Sequence, residues 1–228
     1  MNTTDPVAAV IFDFDGVIAD TEPLHHRAFC EVVAADGLDC DWPTYQAQYM
    51  GYDDRDLFKA AYTDAGRTLA PNQVDELVKV KADAFVAIAA EGVIPFPGIP
   101  AIIQQLDAKY PLALCSGALR SDIKPVLRQF DLVNTFPVQV TAEDVSRSKP
   151  DPACYCLAVD RLAAYHERVF EPETCVAIED TPAGITAARE AGLRVWAVTH
   201  THPADALGEA HAVYSDLPTL TDELLRAG

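Results

Sequence analysis

Residues 7–21 constrain this chain more than any other stretch. Residues 7–12, Val-Ala-Ala-Val-Ile-Phe, are a short unbroken apolar run rich in β-branched side chains. That is the pattern of a strand buried on both faces of a parallel sheet. Asp13 and Asp15 follow at once, and Gly16 then permits a sharp turn or a close backbone approach. Alternation along a strand end puts the two carboxylates on one side, at the edge where open α/β sheets bind ligands. Such a pair repels unless a cation or a proton lies between its members. The two acids read either as solvated loop residues or as part of a magnesium site, and other parts of the chain must distinguish these.

Residues 23–36 read as a helix, with Leu24, Ala28 and Val32 at four-residue spacing, Thr21 as N-cap and Gly37 as the stop. Further helices are expected over 43–50, from Asp53 or Asp54 to residue 65, and over 71–90. Residues 94–98, Ile-Pro-Phe-Pro-Gly, mark a domain boundary. Beyond it, strands are expected at 112–115, 138–141, 174–178, 193–198 and 212–214, alternating with helices at 120–130, 152–164 and 182–191. The last of these carries Pro182 in its tolerant first turn. This alternation specifies an α/β fold, a doubly wound parallel (Rossmann-like) sheet. Since the first strand belongs to that sheet, residues 1–17 and 94–228 form its core, and 18–93 are a helical domain inserted after strand 1.

Charge narrows the partners. Seventeen basic and 35 acidic side chains leave a net charge of −18, which argues against nucleic acid and anionic membranes. Any phosphate site therefore needs local positive charge or a bound cation, since salt screens the long-range field beyond about 8 Å. No apolar stretch approaches the roughly 18 residues that span a bilayer, and residues 1–6 lack the pattern of a secretory leader. A cytoplasmic protein is expected, a monomer or small homo-oligomer. The six cysteines show no Cys-x-x-Cys or zinc-type spacing and read mostly as small buried apolar residues.

The polar residues collect where the strands end. Asp13 and Asp15 end one expected strand, Ser116-Gly117 another, and Glu179-Asp180 a third; Lys149 precedes a helix after the strand at 138. In a parallel sheet these ends share one edge. Each has a plain alternative: Ser116 as a turn residue, Lys149 as a solvated lysine, Glu179 and Asp180 as caps of the helix that starts at Pro182. Together they suit phosphoryl transfer. Hard carboxylate oxygens suit Mg²⁺, and a cation offsets the phosphate charge that repels a nucleophile. A carboxylate can attack phosphorus and a second acid can shuttle the proton, while hydroxyl and lysine groups hold the remaining oxygens.

These motifs resemble the haloacid dehalogenase-like superfamily, specifically its β-phosphoglucomutase-like phosphatase branch. The resemblance rests on Asp13-Phe14-Asp15-Gly16-Val17, Ser116-Gly117, Lys149-Pro150-Asp151-Pro152 and Glu179-Asp180-Thr181-Pro182-Ala183-Gly184-Ile185, in the family's order and approximate spacing. Asp20-Thr21-Glu22-Pro23-Leu24-His25 looks like that branch's entry into its helical cap. The resemblance implies Asp13 as nucleophile and Asp15 as general acid/base. It implies Mg²⁺ held by Asp13, the Asp15 backbone carbonyl and Asp180, with Glu179 beside it. Ser116, Gly117 and Lys149 would bind the phosphoryl group of a small phosphorylated metabolite, with residues 18–93 closing over it. His25 and Arg55 are the candidate cap contacts, and Gly117 stands where many relatives carry Asn or Ser. A sugar phosphomutase would need a cap cation for a second phosphate, from Arg55, Lys79 or Lys81. A phospho-acceptor switch without turnover is the reading from another class, and the long helical insertion argues against it. His200 and His202 read as surface loop, and the adjacent His25 and His26 do not share a helix face.

Overall fold

The computed structural model describes residues 6–227; residues 1–5 and 228, the outermost ends of the expected core segments and most of the stretch read for a leader, lie outside the described residues. In chain order the elements are β1 (Ala9–Phe12), α1 (Glu22–Val33), α2 (Trp42–Gln48), α3 (Asp54–Asp64), α4 (Pro71–Ala89), α5 (Ile99–Asp107), β2 (Leu112–Cys115), α6 (Arg120–Gln129), β3 (Val138–Val140), α7 (Ala153–His166), β4 (Cys175–Glu179), α8 (Pro182–Glu190), β5 (Arg194–Val198), β6 (Ala212–Tyr214) and α9 (Leu217–Ala227). The six strands form one parallel sheet in the order β3-β2-β1-β4-β5-β6. This is the doubly wound arrangement expected from the sequence, and its order reverses between β1 and β4. Ligands bind at such a switch point, beyond the strands' carboxyl ends.

Period-two alternation sorts the strand residues between two cores. Val10 and Phe12, with Leu112, Leu114, Val176, Ile178 and Trp196, pack under α5, α6 and α9. Ala9 and Ile11, with Ala113, Cys115, Ala177 and Val195, pack under α7 and α8. Both faces of β1 are therefore dry, which explains its unbroken apolar run. A third apolar cluster joins α1 to α4 through Phe29, Tyr45, Phe58, Tyr62, Val74 and Val78. The end of α4 is different: Phe85, Ile88 and Ala89 join the first sheet core. The two connections between sheet and helical segment run side by side, with the Phe96 amide donating to the Ile18 carbonyl at 3.3 Å.

Several local expectations change. Helix α1 ends at Val33 and a single 3₁₀ turn (Ala34–Asp36) continues to Gly37. Thr21 occupies the N-cap position, but its hydroxyl makes no cap bond and donates instead to Asp15. Asp53, rather than Asp54, caps α3, accepting from the Asp56 amide at 2.8 Å. Helices α5 and α9 are additional to those read from the sequence. Both carry buried side chains at i, i+3, i+4 and i+7: Ile99, Ile102, Ile103 and Leu106 in one, Leu217, Leu220, Thr221 and Leu224 in the other. Pro100 and Pro218 sit in first turns, where proline is tolerated. No helix among the described residues is long and apolar enough to cross a membrane.

The loop that brings Lys149 to the sheet edge is anchored by Asp144. Its carboxylate accepts from Arg161 at 2.7 Å, from Arg120 at 2.8 Å, and from the Thr141 amide at 2.9 Å. Burial would raise this carboxyl, but the bonds from Arg161 and Thr141 outweigh it and hold the group down at about 2. A depressed native value stabilises the fold above the ordinary 3.8, and that contribution disappears as pH falls through about 2. Asp144→Asn should therefore unfold at lower urea than the wild type at pH 6, with the gap closing as pH falls below 4. A gap that stays constant with pH would remove the ionised clamp from the account.

Candidate active site

Asp13 leaves β1 with its amide still bonded to the Ile178 carbonyl at 2.9 Å, which places its side chain beside the end of β4. There it meets Lys149. The Lys149 ammonium donates to Asp13 Oδ1 at 2.8 Å, to Glu179 Oε1 at 2.7 Å and to the Cys115 carbonyl at 3.2 Å. One side chain thus ties together the carboxyl ends of β1, β2 and β4. Burial works against charge on Lys149, but Asp13 and Glu179 outweigh it and push its pKa well above the usual lysine range.

Glu179 is fully buried and its carboxylate is fully engaged. Oε1 also accepts from the Tyr155 hydroxyl at 2.7 Å; Oε2 accepts from the Asp180 amide at 3.1 Å and the Thr181 hydroxyl at 3.2 Å. The cap of α8 is Thr181, whose hydroxyl accepts from the Gly184 amide at 3.1 Å. Glu179 and Asp180 are therefore not spent on capping. A Cβ on Gly184 would run into the Glu179 carboxylate, and one on Gly16, which has φ +77°, would run into Asp180. Both glycines are needed for close approach.

Asp180 is 1 % exposed; Thr201 donates to its Oδ2, while its Oδ1 is buried without a partner. Oxygens of Asp13, Glu179 and Asp180 lie within 4.8 Å of one another. Burial pushes the Asp13 carboxyl well above its ordinary range against the pull of Lys149, and Glu179 and Asp15 add to the rise. Burial, then Asp13 and Glu179, do the same to Asp180. Three buried carboxylates facing one ammonium need further positive charge to stay ionised. With an orphaned oxygen among hard donors, this set fits a divalent cation of the magnesium type. Asp13 and Asp180 have oxygens to offer it; Glu179 has none to spare.

Asp15 turns toward the helical segment. Thr21 donates to its Oδ1, His25 Nε2 lies 3.5 Å from the same oxygen, and Ser116 donates to Oδ2 at 3.2 Å. Burial would raise Asp15, but these bonds hold it below the ordinary carboxylate value. His25 is raised: burial and Lys81 lower it, and Asp15 prevails. His25 Nδ1 lies 3.0 Å from Lys81 Nζ, and Lys81, 1 % exposed, pairs with Asp54. The His25 ring stacks on Phe85 at 4.2 Å.

The sequence-derived residues Asp13, Asp15, His25, Gly117, Lys149 and Asp180 line one cavity of ≈ 80 Å³, which Lys81, Thr181 and Thr201 also line. Ser116 and Glu179 stand behind its wall. Arg55 does not line it; its nearest acidic partner is Asp75, at 3.9 Å. Reasoning from sequence missed the parts played by Thr21, Tyr155 and Thr201, and it named Lys81 only as a cation for a second phosphate, whereas its ammonium is held by Asp54 and His25. Lys81 carried a signal, a charge on the buried stripe of α4; Thr201 carried none beyond following β5. His200 is a correction: it is half-buried, stacked on Phe96 at 4.0 Å with Nδ1 2.8 Å from the Gly16 carbonyl.

Comparison with known proteins gives a consistent picture. A family model described as haloacid dehalogenase-like hydrolase matches residues 7–192. A phosphorylated carbohydrates phosphatase of Thermotoga maritima is 32 % identical over 212 residues, covering 90 % of this chain and 92 % of that protein. The crystal structure of CbbY from Rhodobacter sphaeroides in complex with phosphate superposes with a TM-score of 0.82 at 28 % identity, covering 92 % of this chain and 94 % of that one. A β-phosphoglucomutase from Clostridium difficile shares the fold, with a TM-score of 0.81 at 20 % identity over 96 % of this chain and 97 % of that one.

The glycine contacts give a direct test. Gly184→Ala should destabilise the protein by about 1–3 kcal/mol in urea unfolding, the usual cost of overpacking. Gly117→Ala, where a Cβ meets nothing within 4 Å, should stay within about 0.5 kcal/mol of wild type. Equal effects would mean that Gly184 does not serve the Glu179 carboxylate.

Proposed function

The chain belongs to the haloacid dehalogenase-like hydrolases, in their β-phosphoglucomutase-like branch, and is a phosphatase; we propose that it hydrolyses small phosphorylated metabolites, sugar phosphates among them, through an aspartyl-phosphate on Asp13. The observation that carries this reading is the Lys149 ammonium at 2.8 Å from Asp13 Oδ1, in a buried site that also holds Asp180. Asp13 supplies the attacking oxygen. Lys149 holds phosphoryl oxygens as charge shifts toward the leaving group, and the Ser116 hydroxyl joins it by turning from Asp15, its partner here. Mg²⁺, held by Asp13, Asp180 and the Asp15 backbone carbonyl, would offset the phosphate's charge and align it for in-line attack.

Asp15 handles the proton. His25 faces Asp15 through Nε2, 3.5 Å from Oδ1, while Lys81 Nζ meets its other ring nitrogen. Asp15 acts as general acid when a proton on its own carboxyl passes to the leaving oxygen. It then takes a proton from the water that hydrolyses Asp13-phosphate. Residues 18–93 act as the cap, and residues 1–17 and 94–228 as the catalytic core. His25 belongs to the cap's contribution through its approach to Asp15.

A phosphomutase is less well supported. Of its three candidate cap cations, Lys81 is bound to Asp54 and His25, while Arg55 and Lys79 do not line the cavity. A cytoplasmic setting agrees with six free thiols among the described residues.

Asp13→Asn, nearly isosteric, should fold normally and lose roughly 10³-fold or more of the turnover number. Activity within tenfold of wild type would take the nucleophile role from Asp13. EDTA should stop turnover and Mg²⁺ restore it, whereas Ca²⁺, with its longer bonds and larger shell, should not; full activity in Ca²⁺ alone would contradict the metal assignment. Asp15→Asn should slow cleavage of a sugar phosphate by about 10²- to 10⁴-fold. It should slow aspartyl-phosphate formation from p-nitrophenyl phosphate far less, because that leaving group needs little protonation. Equal slowing of formation would limit Asp15 to a structural role.

A further inference from the structure

The cavity wall contributed by the helical segment carries Glu22, Asp53 and Asp54, against one lysine, Lys81. That lysine is committed: its Nζ donates to Asp54 and lies 3.0 Å from His25 Nδ1, and its side chain is 1 % exposed. Among the described residues, Asp53 and Glu22 have no cation within ion-pair distance. Asp53 accepts from the Asp56 amide and the Ser148 hydroxyl, and Glu22 from the Tyr45 hydroxyl at 3.1 Å. The groove alongside offers no spare cation either. Arg55, Lys59, Arg147 and Lys149 line it, and each faces an acid: Asp75, Asp56 and Asp151 for the first three, and Asp13 with Glu179 for Lys149.

The two ends of the cavity therefore differ in kind. The phosphoryl end has Lys149 and a place for a divalent cation. The leaving-group end presents carboxylates, which are acceptors only when ionised. Resting on the phosphatase reading above, we infer that the leaving-group end is built for an alcohol bearing hydrogen-bond donors, hydroxyl or ammonium, and no second anionic group. A second phosphate would face Glu22, Asp53 and Asp54 with no free cation, and like charges brought together in a partly dry site oppose binding strongly. Hydroxyl or ammonium groups would donate to the same oxygens. Selection here includes rejection of the doubly charged ligand as well as attraction of the right one.

The test is competition against p-nitrophenyl phosphate hydrolysis by the full chain with Mg²⁺ at low ionic strength. Glucosamine 6-phosphate, glucose 6-phosphate and glucose 1,6-bisphosphate serve as competitors. The two monophosphates should inhibit, and the bisphosphate at least about tenfold more weakly than either. The gap should narrow in high salt. It should also narrow in Glu22→Gln and in Asp53→Asn, the latter retaining a good helix cap. A bisphosphate that binds as well as the monophosphates, a gap unchanged in both variants, or no inhibition by any of the three would overturn the inference. In all those cases continued p-nitrophenyl phosphate hydrolysis leaves the phosphatase reading standing. Failure of the wild type to hydrolyse p-nitrophenyl phosphate would remove both.

Discussion

The shared ammonium of Lys149 is the interaction on which the rest of the site depends. Asp13 and Glu179 sit at the carboxyl ends of adjacent parallel strands, nearly out of water, where two carboxylates repel. Bonds of 2.8 and 2.7 Å to one cation make that placement tolerable. Much of the surrounding architecture serves this arrangement. The Asp144 clamp fixes the loop that carries Lys149, and Tyr155 and the Thr181 segment satisfy the remaining valences of Glu179. Gly184 leaves room for that carboxylate at the first turn of α8. Removing the lysine would leave buried charge unpaired, which is far more damaging than losing a surface ion pair.

A second polar chain leads from the catalytic loop into the helical segment, through Asp15, His25, Lys81 and Asp54. Ser148, next to Lys149, meets Asp53 at the start of α3 and makes a separate crossing. Asp15 and the helical segment are in this way parts of one hydrogen-bonded system.

The parts of this site that were legible in the sequence are those determined locally. Asp13, Asp15 and Gly16 follow an apolar run whose only comfortable setting is a central strand, and Glu179 and Asp180 follow another. The sheet follows from the alternation of such runs with helices. What stayed hidden depends on partners distant in sequence or on misleading punctuation. Thr201 reaches Asp180 from the next strand's loop, and nothing periodic marks it. Lys81 sits among Val74, Val78 and Phe85 on the buried stripe of α4, where its long stem passes for apolar until Asp54 and His25 are seen around its head. Prolines at 95, 97 and 100 read as breakers, although Pro100 is compatible with the first turn of α5. Thr21 looked like a cap by type and position, and its hydroxyl serves Asp15 instead.

The central claim, that Asp13 is the nucleophile held ready by Lys149, is tested most directly by trapping the covalent intermediate. Asp15→Asn, mixed with p-nitrophenyl phosphate and Mg²⁺, is quenched in acid within the first turnover and digested, and the peptide containing Asp13 is weighed by mass spectrometry. Expected is one added phosphoryl group on Asp13, absent when the quench is delayed until the intermediate has hydrolysed. A phosphoryl group on any other residue, or nitrophenol released in a first-turnover burst while Asp13 remains unmodified, would contradict it.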